Sequence, residues 1–346
     1  MKACVLHAVG DFRCEEVPDP VPREGEALVA VRACGVCGSD IPRVFSKGTY
    51  RFPTIPGHEF AGEVVAVGPN TDRGLVGKRV VVFPLIPCWK CPACEMGAYA
   101  QCEDYDYLGS RSNGGFAEFV AAPVWNLLPI PENVSFEEGA MVEPAAVAAH
   151  ALRQACVSPG NVVLIFGAGP IGLILGAWAR LWGAGEVLLV DIDSGKLGFA
   201  RRLGFERVFN PTEGDVVAWL KQIVAPGADI VVEASGSSTA FEQCMLTAQV
   251  FGKVVLMGNP AGEMKLSQSA YWAILRKELK VCGTWNSIYR NDWDLTLDCM
   301  TSGQLDLKPI ITQRVSLREL PEALVMMRDR TVFHNKVMYV TGSQSP

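Results

Sequence analysis

Residues 161–182 read NVVLIFGAGPIGLILGAWARLW, and this stretch decides the architecture of the chain. Val162 to Phe166 form an unbroken apolar run, the pattern of a strand buried on both faces. Gly167, Gly169 and Gly172 follow in the spacing GAGPIG, and a helical apolar pattern begins at once. A strand that enters a glycine turn and leaves as a helix is a phosphate-binding turn. Gly167 permits the tight turn, Gly169 lets backbone approach a pyrophosphate, and Gly172 brings helix and sheet close. Pro170 and Ile171 open the helix, whose free N–H groups and partial positive charge suit phosphates.

An acid, Asp191, ends the next expected strand and can accept hydrogen bonds from both ribose hydroxyls of a dinucleotide. A 2′-phosphate there would meet a carboxylate, and the next residue, Ile192, offers no counter-charge. NAD is therefore expected over NADP. Arg201 and Arg202 are the residues that could soften this preference, although both also read as solvated positions on a helix face. The plainer alternative for Asp191 is an ordinary helix N-cap.

Outward from this turn the same alternation repeats. Strands are expected at 162–166, 186–191, 207–209, 229–233, 253–257 and 279–283, with helical stretches between most of them. Six strands so separated imply an α/β unit, a doubly wound parallel six-stranded sheet with helices on both faces. Upstream, residues 1–150 read as short strands (27–32, 62–67, 79–83 and 116–121) punctuated by Gly and Pro. The character changes near Val157-Ser158-Pro159-Gly160, and the alternation stops after about Trp285. Helices at 292–300 and 317–329 and a strand at 336–341 complete the tail, which is expected to pack back on the first domain. The resulting division is a β-rich domain of residues 1–150 and 286–346 and a dinucleotide domain of 151–285.

Composition narrows the partners. The 346 residues carry a net charge of −6, with no basic stripe, so neither nucleic acid nor an acidic membrane surface is expected. The N-terminus turns polar within ten residues and no apolar run is long enough to cross a bilayer. Twelve cysteines without an export signal point to a reducing, cytoplasmic compartment, where thiols stay free or bind metal.

Four of those cysteines, Cys88, Cys91, Cys94 and Cys102, stand in the window CWKCPACEMGAYAQC. Spacings of two, two and seven residues make a clip for one tetrahedral zinc, with bends at Pro92 and Gly97. Such a site is closed and structural; disulfides or clustered free thiols are the alternative. A second, open constellation can be assembled from Cys37 in CGSD, His58 in GHE and Glu143 in MVEP. Cys, His and Glu leave a fourth position for water or substrate, as a catalytic zinc requires. Taken singly, each has a duller explanation as core thiol, turn residue or helix-start acid.

The residues CGSD at Cys37, GHEFAGEVVAVG at Gly57, the four-Cys clip, EP at Glu143 and GAGPIG at Gly167 together resemble the zinc-dependent medium-chain dehydrogenase/reductase family over essentially the whole chain. The resemblance implies a GroES-like β-rich catalytic domain holding the metals and a Rossmann NAD-binding domain, with the active site in the cleft between. It implies two zinc ions per chain, one catalytic on Cys37, His58 and Glu143 and one structural on the clip. Glu59 would sit beside the catalytic metal as an outer or transient fourth ligand. Glu143 rather than Cys as third ligand is similar to the sorbitol dehydrogenase branch, which implies a polyol substrate and a homo-oligomer, dimer or tetramer. Ser39 occupies the place where the family has a Ser or Thr hydroxyl in proton release. Where many alcohol dehydrogenases continue that relay with His, this chain has Pro42, which carries no proton.

Longer stretches, CGSDIPRVFSKG, PLIPCWKCPACEMGAYAQCEDYDYLGSR and NGGFAEF, resemble a narrower subgroup that acts on phosphorylated hexitols. A phosphate needs a fixed cation, for which Arg43, Lys47, Arg51, Arg111, Arg276 and Lys277 are candidates. Arg111 is preferred, because its planar fork suits phosphate and it lies in a Gly-flanked loop after the clip.

Overall fold

In the computed structural model, which describes residues 1–260 and 262–342, Val162–Phe166 lies third from one edge of a six-stranded parallel sheet. The order across that sheet is Val208–Phe209, Glu186–Val190, Val162–Phe166, Ala228–Glu233, Ala248–Leu256 and Lys280–Gly283. The strand order reverses between Val162–Phe166 and Ala228–Glu233, where ligands bind beyond the strand ends in such sheets. Leu164, Phe166, Leu188, Val190, Val231 and Val254 share one buried cluster with helix residues Val216, Leu220 and Met245. That burial by helices is why these strands read as apolar runs rather than as alternations. The fifth strand begins at Ala248, earlier than expected. Its pairing jumps from Ala228↔Ala248 to Ile230↔Lys253, and Val250 and Phe251 in the bulge are exposed, so hydropathy marked only the buried half.

The chain divides into two compact units, Met1–Glu143 with Ile288–Pro346, and Pro144–Ser287. The first boundary falls within the helix Val142–Ala155, ahead of the expected residue 150. The first unit holds a seven-stranded sheet built on Glu26–Gly35, which pairs antiparallel with Glu59–Val67, with Phe119–Pro123 and with the last strand, Lys336–Val340. Met338 faces Gly35 and Tyr339 faces Cys34, so the tail is an integral strand of this unit. Alternate residues Val29, Val31, Phe60, Val64, Val80 and Val82 point into its core, joined by Leu317, Leu320 and Leu324 from the tail.

Among the elements not expected from the sequence are the hairpin Lys2–Ala8 with Asp11–Glu16 and the strand Ile311–Val315 beside Lys336–Val340. The hairpin also corrects the expectation that thiols outside the metal clusters stay free. Cys4 and Cys14 face each other across it and are joined as a disulfide. They face each other only through the register of a hairpin that the sequence reading did not expect. Among the described residues, no helix is long and apolar enough to cross a membrane.

Candidate metal and dinucleotide sites

The antiparallel ladder builds the first site. Gly35 pairs with Glu59, so the turn after one strand, carrying Cys37, and the turn before the other, carrying His58, emerge at the same end. Ligand atoms of Cys37, His58 and Glu59 all lie within 4.8 Å of one another. Cys37 N–H donates to Asp40 Oδ2 at 2.9 Å, which tightens the turn, and the fully buried Asp40 is also paired with Arg43. Gly57 has φ +93°, and a Cβ there would come 2.6 Å from the Phe116 ring. Gly115 N–H donates to Gly57 O at 2.7 Å, so the NGG loop is packed directly against the turn that aims His58.

These residues suit a divalent cation. His58 Nδ1 is buried without a hydrogen-bond partner and lies 3.9 Å from Asp40 Oδ1. A ring bound to metal through its other nitrogen donates from Nδ1 to such a carboxylate. Burial, then the charges of Glu59 and Asp40, push the Cys37 thiol up to about 11. Burial pushes Glu143 up to about 8, although His58 pulls it the other way. Several acids converge on one point with Lys336 as their buried counter-charge. Burial opposes the ammonium of Lys336, but Glu59 and Cys37 raise its pKa overall. Lys336 takes Glu59 Oε2, which leaves Oε1 for a metal.

The two candidate third ligands are placed differently. Glu59, expected as an outer ligand, is inside the gathering, whereas Glu143 is not a member of it. Glu143 stays close, buried at the start of its helix, and accepts a hydrogen bond from the Tyr107 hydroxyl at 3.3 Å. The reason is geometric: Glu59 is adjacent to His58 at the end of a fixed ladder, while Glu143 arrives from a separate helix. The Ser39 hydroxyl favours the Cys37 thiolate, against the larger effect of burial. Tyr107 was missed by sequence reasoning; its only signal was membership of the stretch YDYLGSR.

The cysteine clip is assembled. Cys91 and Cys94 sulfurs are 3.6 Å apart, Cys91 and Cys102 3.9 Å, and Cys88 and Cys94 4.0 Å. A tetrahedron with metal–sulfur bonds of roughly 2.3 Å has edges of about 3.8 Å, so these distances fit one zinc. Gly97, with φ +73°, makes the bend, and Pro92 opens the short helix Pro92–Glu95. Backbone N–H groups of Glu103 and Cys94 lower the Cys91 thiol to about 6, which favours the metal-binding thiolate.

In the second unit the glycine turn has the expected form. Gly167 has φ +113°, and a Cβ on Gly172 would lie 1.8 Å from Gly167 O. Nothing stands within 4 Å of the Cβ position of Gly169, the N-cap of Pro170–Leu181, so backbone is open to a phosphate there. Asp191 accepts from Ala168 N–H at 2.8 Å and from Asp193 N–H at 2.9 Å. It therefore ties the glycine turn to the strand end, a duty additional to the ribose contact expected of it. Ile192 beside it is exposed, and Arg201 and Arg202 are exposed at the far end of the helix Ser194–Arg202.

Residues 23–132 match the alcohol dehydrogenase GroES-like domain, and residues 170–302 match the zinc-binding dehydrogenase domain. Galactitol 1-phosphate 5-dehydrogenase of Escherichia coli (strain K12) is 33% identical over 94% of this chain and 95% of its own. The crystal structure of galactitol-1-phosphate dehydrogenase from Escherichia coli superposes with TM-score 0.92 at 32% identity, covering 98% of this chain and 100% of the other. Sorbitol dehydrogenase of Bacillus subtilis (strain 168) is 31% identical over 94% of this chain and 92% of its own. A zinc-binding dehydrogenase from Sinorhizobium meliloti 1021, solved bound to NADP, has TM-score 0.91 at 31% identity over 98% of each chain. The chain belongs to the zinc-dependent medium-chain dehydrogenase/reductase family. It is an oxidoreductase of the alcohol and polyol dehydrogenase type, with zinc and a nicotinamide dinucleotide as cofactors.

Proposed function

We propose that this enzyme oxidises a secondary hydroxyl of a polyol to a ketone with NAD, and that the polyol is a phosphorylated hexitol, galactitol 1-phosphate giving tagatose 6-phosphate. The gathering of Cys37, His58 and Glu59 carries the reaction class. Zinc held there supplies Lewis-acid polarisation of a hydroxyl, and NAD supplies the hydride acceptor. The residues do the rest. Cys37, His58 and Glu59 would hold the ion through three ligand atoms and leave room for a substrate hydroxyl. Ser39 Oγ and the buried carboxylate of Glu143 are the groups that can receive the hydroxyl proton in place of the His that Pro42 replaces.

The environment of Arg111 supports the phosphate. Its guanidinium lies between two aromatic rings, 4.4 Å from the centroid of Tyr50 and 4.1 Å from that of Tyr105. One nitrogen donates to Tyr105 O at 2.9 Å, and Nε is buried without a partner among the described residues. A planar cation so clamped presents fixed donors to an anion. Rings connect it to the metal site, since Tyr105 packs on Tyr107 at 6.2 Å and Tyr107 on His58 at 5.8 Å. Two of the other candidate cations are engaged elsewhere: Arg43 with Asp40, Lys277 with the carbonyls of Met245, Leu246 and Ala248.

NADH absorbance across a panel of hexitols and hexitol phosphates tests the proposal. Arg111→Met should raise KM for the phosphorylated polyol about 10-fold or more and leave the free one nearly unchanged. Equal or better efficiency of the wild type on free sorbitol or L-iditol would establish the sorbitol dehydrogenase alternative. One zinc per chain instead of two, without turnover, would mark a silent structural protein. For the expected homo-oligomer, the outer strand Lys280–Gly283 of the parallel sheet offers an edge unpaired among the described residues, with exposed Val281, suited to pairing with a second copy.

A further inference from the structure

Tyr107 stands at the meeting point of the metal site and the loop that follows the cysteine clip, and it has no role in the chemistry set out above. Its main chain is firmly held. Tyr107 pairs with the buried Leu85, and its carbonyl accepts from the N–H groups of Ser110, Arg111 and Ser112 at 3.1, 2.9 and 3.1 Å. Its ring meets His58 edge-on, with centroids 5.8 Å apart. Its hydroxyl reaches Glu143 Oε1 at 3.3 Å. Glu143 is otherwise a long side chain in the first turn of its helix, beside three groups already gathered for a metal.

We propose that Tyr107 is a positioning residue of the open metal site, holding Glu143 beside the fourth ligand position and out of the ligand set. The role rests on the metal site formed by Cys37, His58 and Glu59. A dication attracts any carboxylate within reach, and four protein ligands would close the site as the clip is closed. The phenol, held on the strand paired with Leu85, opposes that collapse by donating a hydrogen bond to the Glu143 carboxylate. The fourth position then stays open to a substrate hydroxyl, with Glu143 facing it as acceptor.

Cobalt(II) in place of zinc gives a visible spectrum that reports ligand number, and imidazole is a small probe for the open position. Tyr107→Phe keeps the ring and its packing on His58. Its cobalt bands should change, and its affinity for imidazole should fall about 10- to 100-fold, the scale of a lost hydrogen bond to a charged group. Glu143→Gln alone should bind imidazole at least as well as the wild type, and adding it to Tyr107→Phe should restore the affinity. Unchanged bands and imidazole affinity in Tyr107→Phe overturn the role of Tyr107. So does weakened binding in Glu143→Gln, or failure of the double variant to recover. If the wild type takes up one cobalt per chain, or Cys37→Ser keeps the second, the metal site itself is wrong and Tyr107 falls with it.

Discussion

Gly35 and Glu59 face each other across an antiparallel ladder, and a Cβ on Gly35 would lie 2.2 Å from Glu59 Oε2 and 2.7 Å from Lys336 Cε. The missing side chain is the space in which the buried Glu59–Lys336 ion pair sits. Gly35→Ala should therefore displace that pair, lowering stability by about 1–3 kcal/mol as overpacking does. It should also loosen the second zinc. Thermal melting and zinc content measured together check this; a variant with unchanged Tm and two ions would show that the pair tolerates the methyl group.

The clip should matter to stability before chemistry. Cys94→Ser removes one of four sulfurs and should lower Tm and make the 88–102 loop susceptible to protease. An identical melting curve at equal zinc content would mean that the cysteines hold no metal.

Stability of the metal-free protein should fall as pH rises from about 5 to about 8. The Glu143 carboxyl, ordinarily at 4.5, is raised to about 8 in the fold, so the folded state binds more protons than the unfolded one across that window. Below it both states are protonated and the effect vanishes. Zinc should oppose the loss, because binding requires deprotonated ligands and tightens with pH. Melts of chelator-treated protein at several pH values should show the slope, and Glu143→Gln should flatten it. Parallel slopes in both proteins would contradict the assignment to Glu143.

Asp191 has two duties, and its replacement should reveal both. Asp191→Ala should lower kcat/KM with NAD through loss of the ribose contact and the bond to Ala168 N–H, about 10-fold or more. NADP should be less affected, since the carboxylate no longer repels a 2′-phosphate. Steady-state kinetics with both dinucleotides decide it; a wild type more efficient with NADP would overturn the preference.

Val281→Lys places a charge on the outer strand Lys280–Gly283 and should reduce a homo-oligomer to monomers of 37.4 kDa by light scattering. A variant that keeps the wild-type mass would place any subunit contact elsewhere.

The sequence by itself determined whatever depends on near neighbours. The glycine turn, Asp191 at the next strand end and the four-cysteine clip each lie within a short stretch, where spacing and backbone permission fix geometry before any distant contact forms. The six parallel strands were legible for a related reason: burial on both faces writes itself as unbroken apolar runs. Only tertiary structure decided relationships between distant segments. The nearness of Glu59 to Cys37 and His58 follows from the Gly35–Glu59 register, which leaves no mark in local pattern. Lys336 is separated from Glu59 by most of the chain, and its burial could not be read from a charged residue at the start of the last strand. The tether from Tyr107 to Glu143 and the clamp of Tyr50 on Arg111 have the same origin. Each is a contact made by strands or rings that converge only after the sheet has formed, so its specificity resides in register and packing.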